Sequence, residues 1–305
     1  MITPLLVCQN LQPIKYSNPA YNRVSQHSYG LDSVSFTSKN LLSKGVNAIT
    51  EAVNDTVLLT KNIGFGSEGT VYKIQDTNYC VKILNKSPEK ICNWSLNIKP
   101  EERVNHIVAK ANNGAVIMKY IEGEALNWAE KPKELAELPK LTYKRLLTQI
   151  QNAYDNCMAL DPVPSNIIYN QKDKTLTAID FRDLDYYEDL YEHTPIKDVF
   201  MVLKANEKND FAELYNRRLG GKLLSVVIDE IASGKKPEFD VEKEDLTLFF
   251  NKLRFTQNDG NVPPQFDILH RTINNIIDLS KDSTQSKEQN GQIKVAQCLI
   301  KQVLG

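Results

Sequence analysis

Three polar residues in the middle of the chain have the types and spacing that phosphoryl transfer to a hydroxyl group requires. Asp161 is followed by four spacer residues and then Asn166, and Asp180 comes fourteen residues after Asn166. A carboxylate can hold the accepting hydroxyl, while an amide oxygen and a second carboxylate are the hard ligands that Mg²⁺ prefers. The pattern therefore predicts that Asp161 is catalytic and that Asn166 and Asp180 hold metal ions bridging the nucleotide phosphates.

The residues around this trio predict the elements that position it. Ile167 to Tyr169 and Leu176 to Ile179 are apolar, β-branched runs on either side of a polar turn, which is typical of a β-hairpin. Such a hairpin would place the loop ends that carry the three polar residues side by side. A long helix running into the Asp161 loop is predicted by apolar residues at helical spacing, namely Tyr143, Leu146, Leu147, Ile150, Tyr154 and Cys157.

A glycine-rich strand pair is predicted further upstream. Residues 64 to 69 read Gly-Phe-Gly-Ser-Glu-Gly, a pattern that dinucleotide-binding folds also carry. A dinucleotide fingerprint must open a helix, whereas Thr70 to Ile74 is β-branched and aromatic with strand alternation. The glycines are therefore predicted at a hairpin tip, where backbone N–H groups can close over phosphates. The candidate nucleotide-binding residues of this hairpin are Gly64, Phe65, Gly66, Ser67, Gly69 and Val71.

Lys82 lies in the next predicted strand, Tyr79 to Leu84, between apolar neighbours. Lys82 matches the lysine of the V-A-I-K pattern. The ammonium group of that lysine contacts nucleotide phosphates and pairs with a helix glutamate. Glu89 is the favoured partner because the serine and proline before it have the pattern of a helix start. Glu101 and Glu102 are the alternative partners.

The next predicted features are a hinge and a series of helices. A strand is predicted from Gly114 to Ile121, and its backbone from Lys119 to Ile121 is predicted to contact the edge of an adenine ring. The strand leads into Glu122-Gly123-Glu124, which is typical of a hinge between lobes. After Asp180 comes an acidic and aromatic run of the kind that usually forms a solvated face. Helical patterns follow at Ile196–Leu203, Phe211–Arg218, Leu223–Ile231, Leu246–Leu253, Phe266–Leu279 and Ile293–Leu304.

Composition excludes several classes of function. The 305 residues carry a formal net charge of −1, which lacks the electrostatic footprint of a nucleic-acid-binding protein. The five cysteines are odd in number and form no C-x-x-C pair, which argues against a disulfide framework and a zinc site. No apolar run approaches the length that crosses a bilayer, so we expect no membrane span and a cytosolic working compartment.

With these residues the chain resembles the protein-kinase-like superfamily, and most closely the OspG and NleH group of type III secreted effector kinases of enteric bacteria. The resemblance covers roughly residues 57 to 219. It implies ATP and Mg²⁺ as cofactors, Ser/Thr phosphorylation of proteins in the host cytoplasm after secretion, and association with ubiquitin-charged E2 conjugating enzymes. The resemblance rests on Gly64–Gly69, Lys82, Asp161–Tyr169, Ala178–Arg182, Asn209–Phe211 and Asn216–Arg218.

The predicted fold is α+β, with a small β-rich N-lobe and a helical C-lobe. Residues 9 to 45 contain fourteen Ser, Asn or Gln and a single acidic residue, so a disordered export or targeting segment is predicted over residues 1–55. The N-lobe is predicted over residues 56–121 and a reduced C-lobe over residues 122–220. Residues 221–305 are predicted to form a helical extension outside the resemblance.

Two departures from the family pattern concern regulation. Ala159-Leu160 stands where such kinases carry His-Arg, and Arg182 replaces the glycine of Asp-Phe-Gly. The first change removes an arginine that could meet an activation-loop phosphate.

Two other functions stay open. One is a pseudokinase binding module. The other is a small-molecule phosphotransferase of the aminoglycoside or choline kinase type, because Ile179 to Asp183 also resembles the I-D-F-x-D run of that family.

Overall fold

The chain combines an antiparallel β-sheet region with a mostly helical region that follows it, as the predicted α+β class requires. It divides into two compact units, Met1–Tyr120 and Ile121–Gly305. The computed structural model describes residues 59–65, 69–74, 77–84, 107–110, 115–126, 132–156, 158–183, 193–205, 212–255, 264–281 and 286–305.

The first unit contains a five-stranded antiparallel sheet. Its strands are paired in the order β1-β2-β3-β5-β4. Alternation along these strands places one set of apolar side chains on a common face, with Ile74, Val81, Ala115 and Ile117 buried at its centre. The strands are β1 (Leu59–Phe65), β2 (Gly69–Ile74), β3 (Tyr79–Leu84), β4 (Ile107–Lys110) and β5 (Val116–Lys119).

The second unit contains two small sheets. One is three-stranded and pairs in the order β6-β8-β9, and the other is a two-stranded ribbon of β7 and β10. The β8–β9 hairpin confirms the hairpin predicted between Asn166 and Asp180. These strands are β6 (Glu124–Ala125), β7 (Met158–Leu160), β8 (Ile167–Asn170), β9 (Thr175–Ala178) and β10 (Phe181–Asp183).

Helices supply most of the second unit's core. The helix predicted before the Asp161 loop is α2, and Tyr143, Leu146, Leu147 and Ile150 on its apolar face are fully buried. An edge-to-face chain of Phe200, Phe249, Phe250 and Phe266 connects the later helices. The helices are α1 (Pro132–Glu137), α2 (Lys140–Tyr154), α3 (Pro195–Leu203), α4 (Ala212–Ala232), α5 (Lys243–Phe255), α6 (Pro264–Ser280) and α7 (Ser286–Val303).

Helix α4 differs from its prediction. The stretches Phe211–Arg218 and Leu223–Ile231 were expected as separate helices, but they form one helix that continues through Gly220 and Gly221. A Cβ atom at Gly220 would lie 2.9 Å from the side chain of Leu253, and one at Gly221 would lie 3.1 Å from the Cβ of Leu304. The glycines therefore allow close packing of neighbouring helices, and position 220, where a boundary was predicted, lies inside α4.

The acidic run after Asp180, predicted as a solvated face, lies outside the described residues apart from Asp183, which ends strand β10. One further prediction needs correction. The last helix begins at Ser286, well before the predicted start at Ile293. The predicted disordered segment over residues 1–55 lies outside the described residues. Among the helices of the described ranges, none is both long and apolar enough to cross a membrane.

Candidate functional site

The ribbon of β7 and β10 brings Asp161 and Asp180 to the same end of one element. The two strands are antiparallel, and Leu160 pairs with Phe181. Asp161 directly follows Leu160 and Asp180 directly precedes Phe181, so both aspartates leave the ribbon at that end. Leu160 and Phe181 are both buried, which anchors the ribbon in the core. The backbones of the two aspartates predicted to act together therefore lie at the same end of the ribbon.

Asn166 joins this pair through hydrogen bonds. It ends a 3₁₀ turn, Pro164–Asn166, and its side-chain Nδ2 donates to the backbone oxygen of Asp161 at 3.1 Å. Its own backbone oxygen accepts a hydrogen bond from the N–H of Ile179 at 2.8 Å. Asn166 therefore links the loop that carries Asp161 to the segment that leads into Asp180.

The backbone of Asp180 lies in the left-handed region, with φ of 60°. An L-residue other than glycine visits this region rarely, although aspartate and asparagine tolerate it better than most. Strained backbone of this kind persists where the surrounding structure holds it, and it is concentrated at functional sites. Here the turn lets the chain leave β9 in one sheet and enter β10 in the other.

Gln149 on α2 is a residue of this region that sequence reasoning missed. Its Oε1 accepts a hydrogen bond from the N–H of Ala178 at 2.9 Å, and its Nε2 donates to the oxygen of Ala178 at 2.8 Å. One side-chain amide thereby satisfies both backbone groups of the last residue of β9, two positions before Asp180. The sequence signal that could have identified Gln149 is that it is a polar residue within the apolar pattern of α2.

Lys82 lies in β3 as predicted, and the sheet register shows which residues share its face. Val71 in β2 and Val116 in β5 are the cross-strand partners of Lys82, and Cys80 lies on the same side two residues earlier. Burial raises the pKa of the Cys80 thiol to about 12, so it is a neutral side chain at physiological pH. Lys82 therefore shares this face with the partly buried Val71 and the buried Val116 and Cys80, and Lys73, the partner of Cys80, lies on it as well. Cys80 was not among the predicted site residues.

The predicted glycine hairpin agrees with the structure where it is described. Strand β2 begins at Gly69, and Gly64 pairs with Val71 near the end of β1. Phe65 is the last residue of β1. The remaining predicted residues Gly66, Ser67, Glu89, Glu101 and Glu102 lie outside the described ranges.

The stretch predicted to meet an adenine edge begins at the end of β5. Lys119 is exposed and pairs with Tyr79, and its backbone oxygen lies 3.8 Å from Cys80 Sγ. The N–H of Tyr120 donates to the oxygen of Asn78 at 2.8 Å, so that group is already engaged. Ile121 is the first residue of the second unit and is partly buried.

The donor set of the second unit fits Mg²⁺. Since the amide nitrogen of Asn166 is bound to Asp161, its Oδ1 is the atom that could ligate a cation. With the carboxylate of Asp180 it offers the hard oxygen donors that Mg²⁺ prefers, and Mg²⁺ usually takes its remaining ligands from water and substrate phosphates. Across the described ranges, no cluster of three or more His, Cys, Asp or Glu side chains is arranged to hold a metal ion.

The predicted residues thus fall into two groups, each within one unit. The structure brings Asp161, Asn166 and Asp180 together in the second unit, and it places Val71 beside Lys82 in the first. No protein-family model and no curated protein matches this chain.

Proposed function

We propose that this chain is an ATP-dependent Ser/Thr protein kinase that uses Mg²⁺. The observation that carries the proposal is the β7–β10 ribbon, with Asp161 and Asp180 at one end and Asn166 hydrogen-bonded to the Asp161 loop. These three residue types are the ones that phosphoryl transfer uses to orient a hydroxyl and hold the metal ions. Their convergence does not follow from spacing alone, because it depends on pairing between strands twenty residues apart in the chain.

Each residue has a separate role in this proposal. Asp161 orients the accepting hydroxyl and takes its proton, as a positioned carboxylate can. Asn166 and Asp180 would hold Mg²⁺, which when bound would supply positive charge to the phosphate oxygens. Lys82 contacts the nucleotide phosphates with its ammonium group, while Val71 and Cys80 line the same sheet face. The backbone between Gly64 and Gly69 closes over the phosphates.

The setting of the reaction is proposed from the family resemblance. We propose that the kinase is a secreted bacterial effector, that its substrates are host proteins in the host cytoplasm, and that a ubiquitin-charged E2 conjugating enzyme is a partner.

One other function has a specific observation in its favour. The run Ile179 to Asp183 resembles that of aminoglycoside and choline kinases, and Asp183 pairs with Met158 in the same ribbon. A small-molecule phosphotransferase would use the same metal ligands but would transfer phosphate to an amino alcohol or aminoglycoside.

Labelled ATP separates the proposed function from its rivals. The full chain is incubated with Mg²⁺, γ-labelled ATP, a generic protein acceptor, and a mixture of choline and aminoglycosides. Label on the acceptor protein or on the chain itself supports the protein kinase, whereas label only on a small molecule supports the other phosphotransferase. Nucleotide binding without any transfer would identify a pseudokinase and overturn the proposal.

A further inference from the structure

The clamp between Gln149 and Ala178 lies at the point where the chain turns towards Asp180. Ala178 ends β9, which is an edge strand of the three-stranded sheet. Its Cα partner in β8 is Ile167, while its own N–H and C=O bond to the Gln149 amide. Gln149 therefore occupies the place that a neighbouring strand would otherwise take.

The segment before Asp180 is consequently held from two directions. Gln149 makes two hydrogen bonds to Ala178 from the α2 side, and the N–H of Ile179 donates to the oxygen of Asn166. Asn166 is bonded in turn to the Asp161 loop. Asp180, whose φ is 60°, is the next residue after this segment.

Loss of the clamp would leave buried polar groups without partners. Ala178 is fully buried, so water cannot replace the Gln149 amide at no cost. The two freed backbone groups could regain partners only if the end of β9 moved. Because Asp180 lies two residues after Ala178, such a movement would shift its backbone. The side chain of Asp180 is a proposed metal ligand.

We propose that Gln149 is a positioning residue that holds the Asp180 carboxylate in place for Mg²⁺. This inference rests on the proposed function, since it gives Asp180 the role of metal ligand. Groups that orient metal ligands from outside the ligand set contribute strongly to binding, and their loss typically lowers metal affinity or activity about 10- to 100-fold.

The test is binding of a non-hydrolysable ATP analogue to the full chain, measured by calorimetry with and without Mg²⁺. Gln149→Met keeps the side-chain length but makes neither hydrogen bond. We expect it to weaken binding about 10- to 100-fold in the presence of Mg²⁺ and to leave metal-free binding unchanged. Asp180→Asn, measured in parallel, should lose the Mg²⁺ dependence altogether.

Gln151 provides a matched control on the same helix. Its Oε1 accepts from the N–H of Asp240 at 2.7 Å and its Nε2 donates to the Asp240 carboxylate at 3.0 Å, so it is a comparable clamp directed elsewhere. Gln151→Met should lower the melting temperature to a similar degree and leave Mg²⁺-dependent binding unchanged. Equal losses of Mg²⁺-dependent binding in the two variants would overturn the inference, because the effect would then reflect helix stability.

A second substitution covers the case in which Gln149→Met does not fold. Gln149→Glu retains an acceptor for the N–H of Ala178 but places a carboxylate against the Ala178 oxygen, so it should also weaken binding only when Mg²⁺ is present. Normal Mg²⁺-dependent binding in both folded Gln149 variants would overturn this inference alone. Absence of nucleotide binding by the wild-type chain, or an unaffected Asp180→Asn variant, would overturn the proposed function together with it.

Discussion

At the scale of single residues, the candidate site depends on how the backbone around Asp180 is held. Asp180, with its left-handed φ, lies between β9 of one sheet and β10 of the other, at the end of the ribbon where the loop of Asp161 begins. The hydrogen bonds of Asn166 connect the two loops. The segments around Asp161 and Asp180 are therefore held by the side-chain amides of Asn166 and Gln149, which bond to backbone groups.

Lys82 gives the first residue-scale prediction. Lys82→Met should lower phosphoryl transfer by at least about 100-fold and leave the melting temperature nearly unchanged, because a fixed cation at the phosphates acts mainly on the transition state. The measurement is the rate of label transfer from γ-labelled ATP.

Lys73→Met is the matched control, since Lys73 lies on the same sheet face and its ammonium is 3.4 Å from the centroid of the Tyr120 ring. It should keep the wild-type rate. Equal effects of the two lysine substitutions would show that general positive charge on this face, and not Lys82, is what the reaction needs.

At the scale of secondary-structure elements, the glycine pair of α4 gives a prediction about packing. Gly220→Ala should destabilise the protein, because its Cβ would lie 2.9 Å from the side chain of the buried Leu253. Overpacking costs ~1–3 kcal/mol, whereas the gain in helix propensity is at most ~1 kcal/mol. The measurement is the free energy of unfolding in denaturant.

Gly291→Ala is the control for this substitution. Gly291 is an exposed residue of α7, and a Cβ atom there would meet nothing within 4 Å. This variant should be more stable than the wild type by up to ~1 kcal/mol. Stabilisation by Gly220→Ala would mean that Leu253 can move away, and that the glycine is not needed for helix packing.

The start of α5 gives a prediction about pH. Burial, with smaller contributions from Asp240, Glu242 and Glu244, raises the pKa of Asp245 from 3.8 to about 6. Because the folded state binds this proton more tightly than the unfolded state, wild-type stability falls as pH rises from about 4 to about 6. Asp245→Asn should therefore melt at a higher temperature than the wild type at pH 7 and at the same temperature below pH 4.

Melting curves between pH 3.5 and pH 8 test this difference. Glu288→Gln, a change to an exposed acid in the first turn of α7, should not raise the melting temperature. A lower melting temperature of Asp245→Asn at pH 7 would show that the positive end of the α5 dipole stabilises the carboxylate more than burial opposes it.

The sequence predicted those elements whose signals are local. The hairpin after Asn166 and the apolar face of α2 could be predicted because their patterns lie within a few residues. Strands β7 and β10 could not, since three residues carry no periodicity and their pairing depends on the tertiary fold. The contact of Gln149 with Ala178 spans 29 positions, so only the structure reveals it.

At the scale of the whole molecule, the question is how activity is regulated. In the proposed kinase, Leu160 takes the position where activatable kinases carry arginine, and it is fully buried in the ribbon. A leucine cannot accept a phosphate in charge-assisted hydrogen bonds, so loop phosphorylation has no cation to engage at this position. We therefore predict activity that is either constitutive or increased by a partner that binds the active state better.

This prediction is tested by measuring the kinase rate before and after phosphatase treatment, and again with ubiquitin-charged E2 conjugating enzyme. Phosphatase should leave the rate unchanged, and a rise on addition of the conjugating enzyme would show that it is the activating partner. A large fall on phosphatase treatment without any rise on adding the partner would show that another cation accepts the phosphate.

The proposed role of Asp161 in phosphoryl transfer is measured most directly by the transfer rate of Asp161→Asn. The substitution removes the carboxylate while keeping the shape, so we predict a fall of about 10²- to 10⁴-fold with an unchanged melting temperature. Asp173→Asn, at an exposed aspartate in the turn of the β8–β9 hairpin, should retain the wild-type rate. A folded Asp161→Asn variant that transfers phosphate as fast as the wild type would show that Asp161 has no part in the reaction.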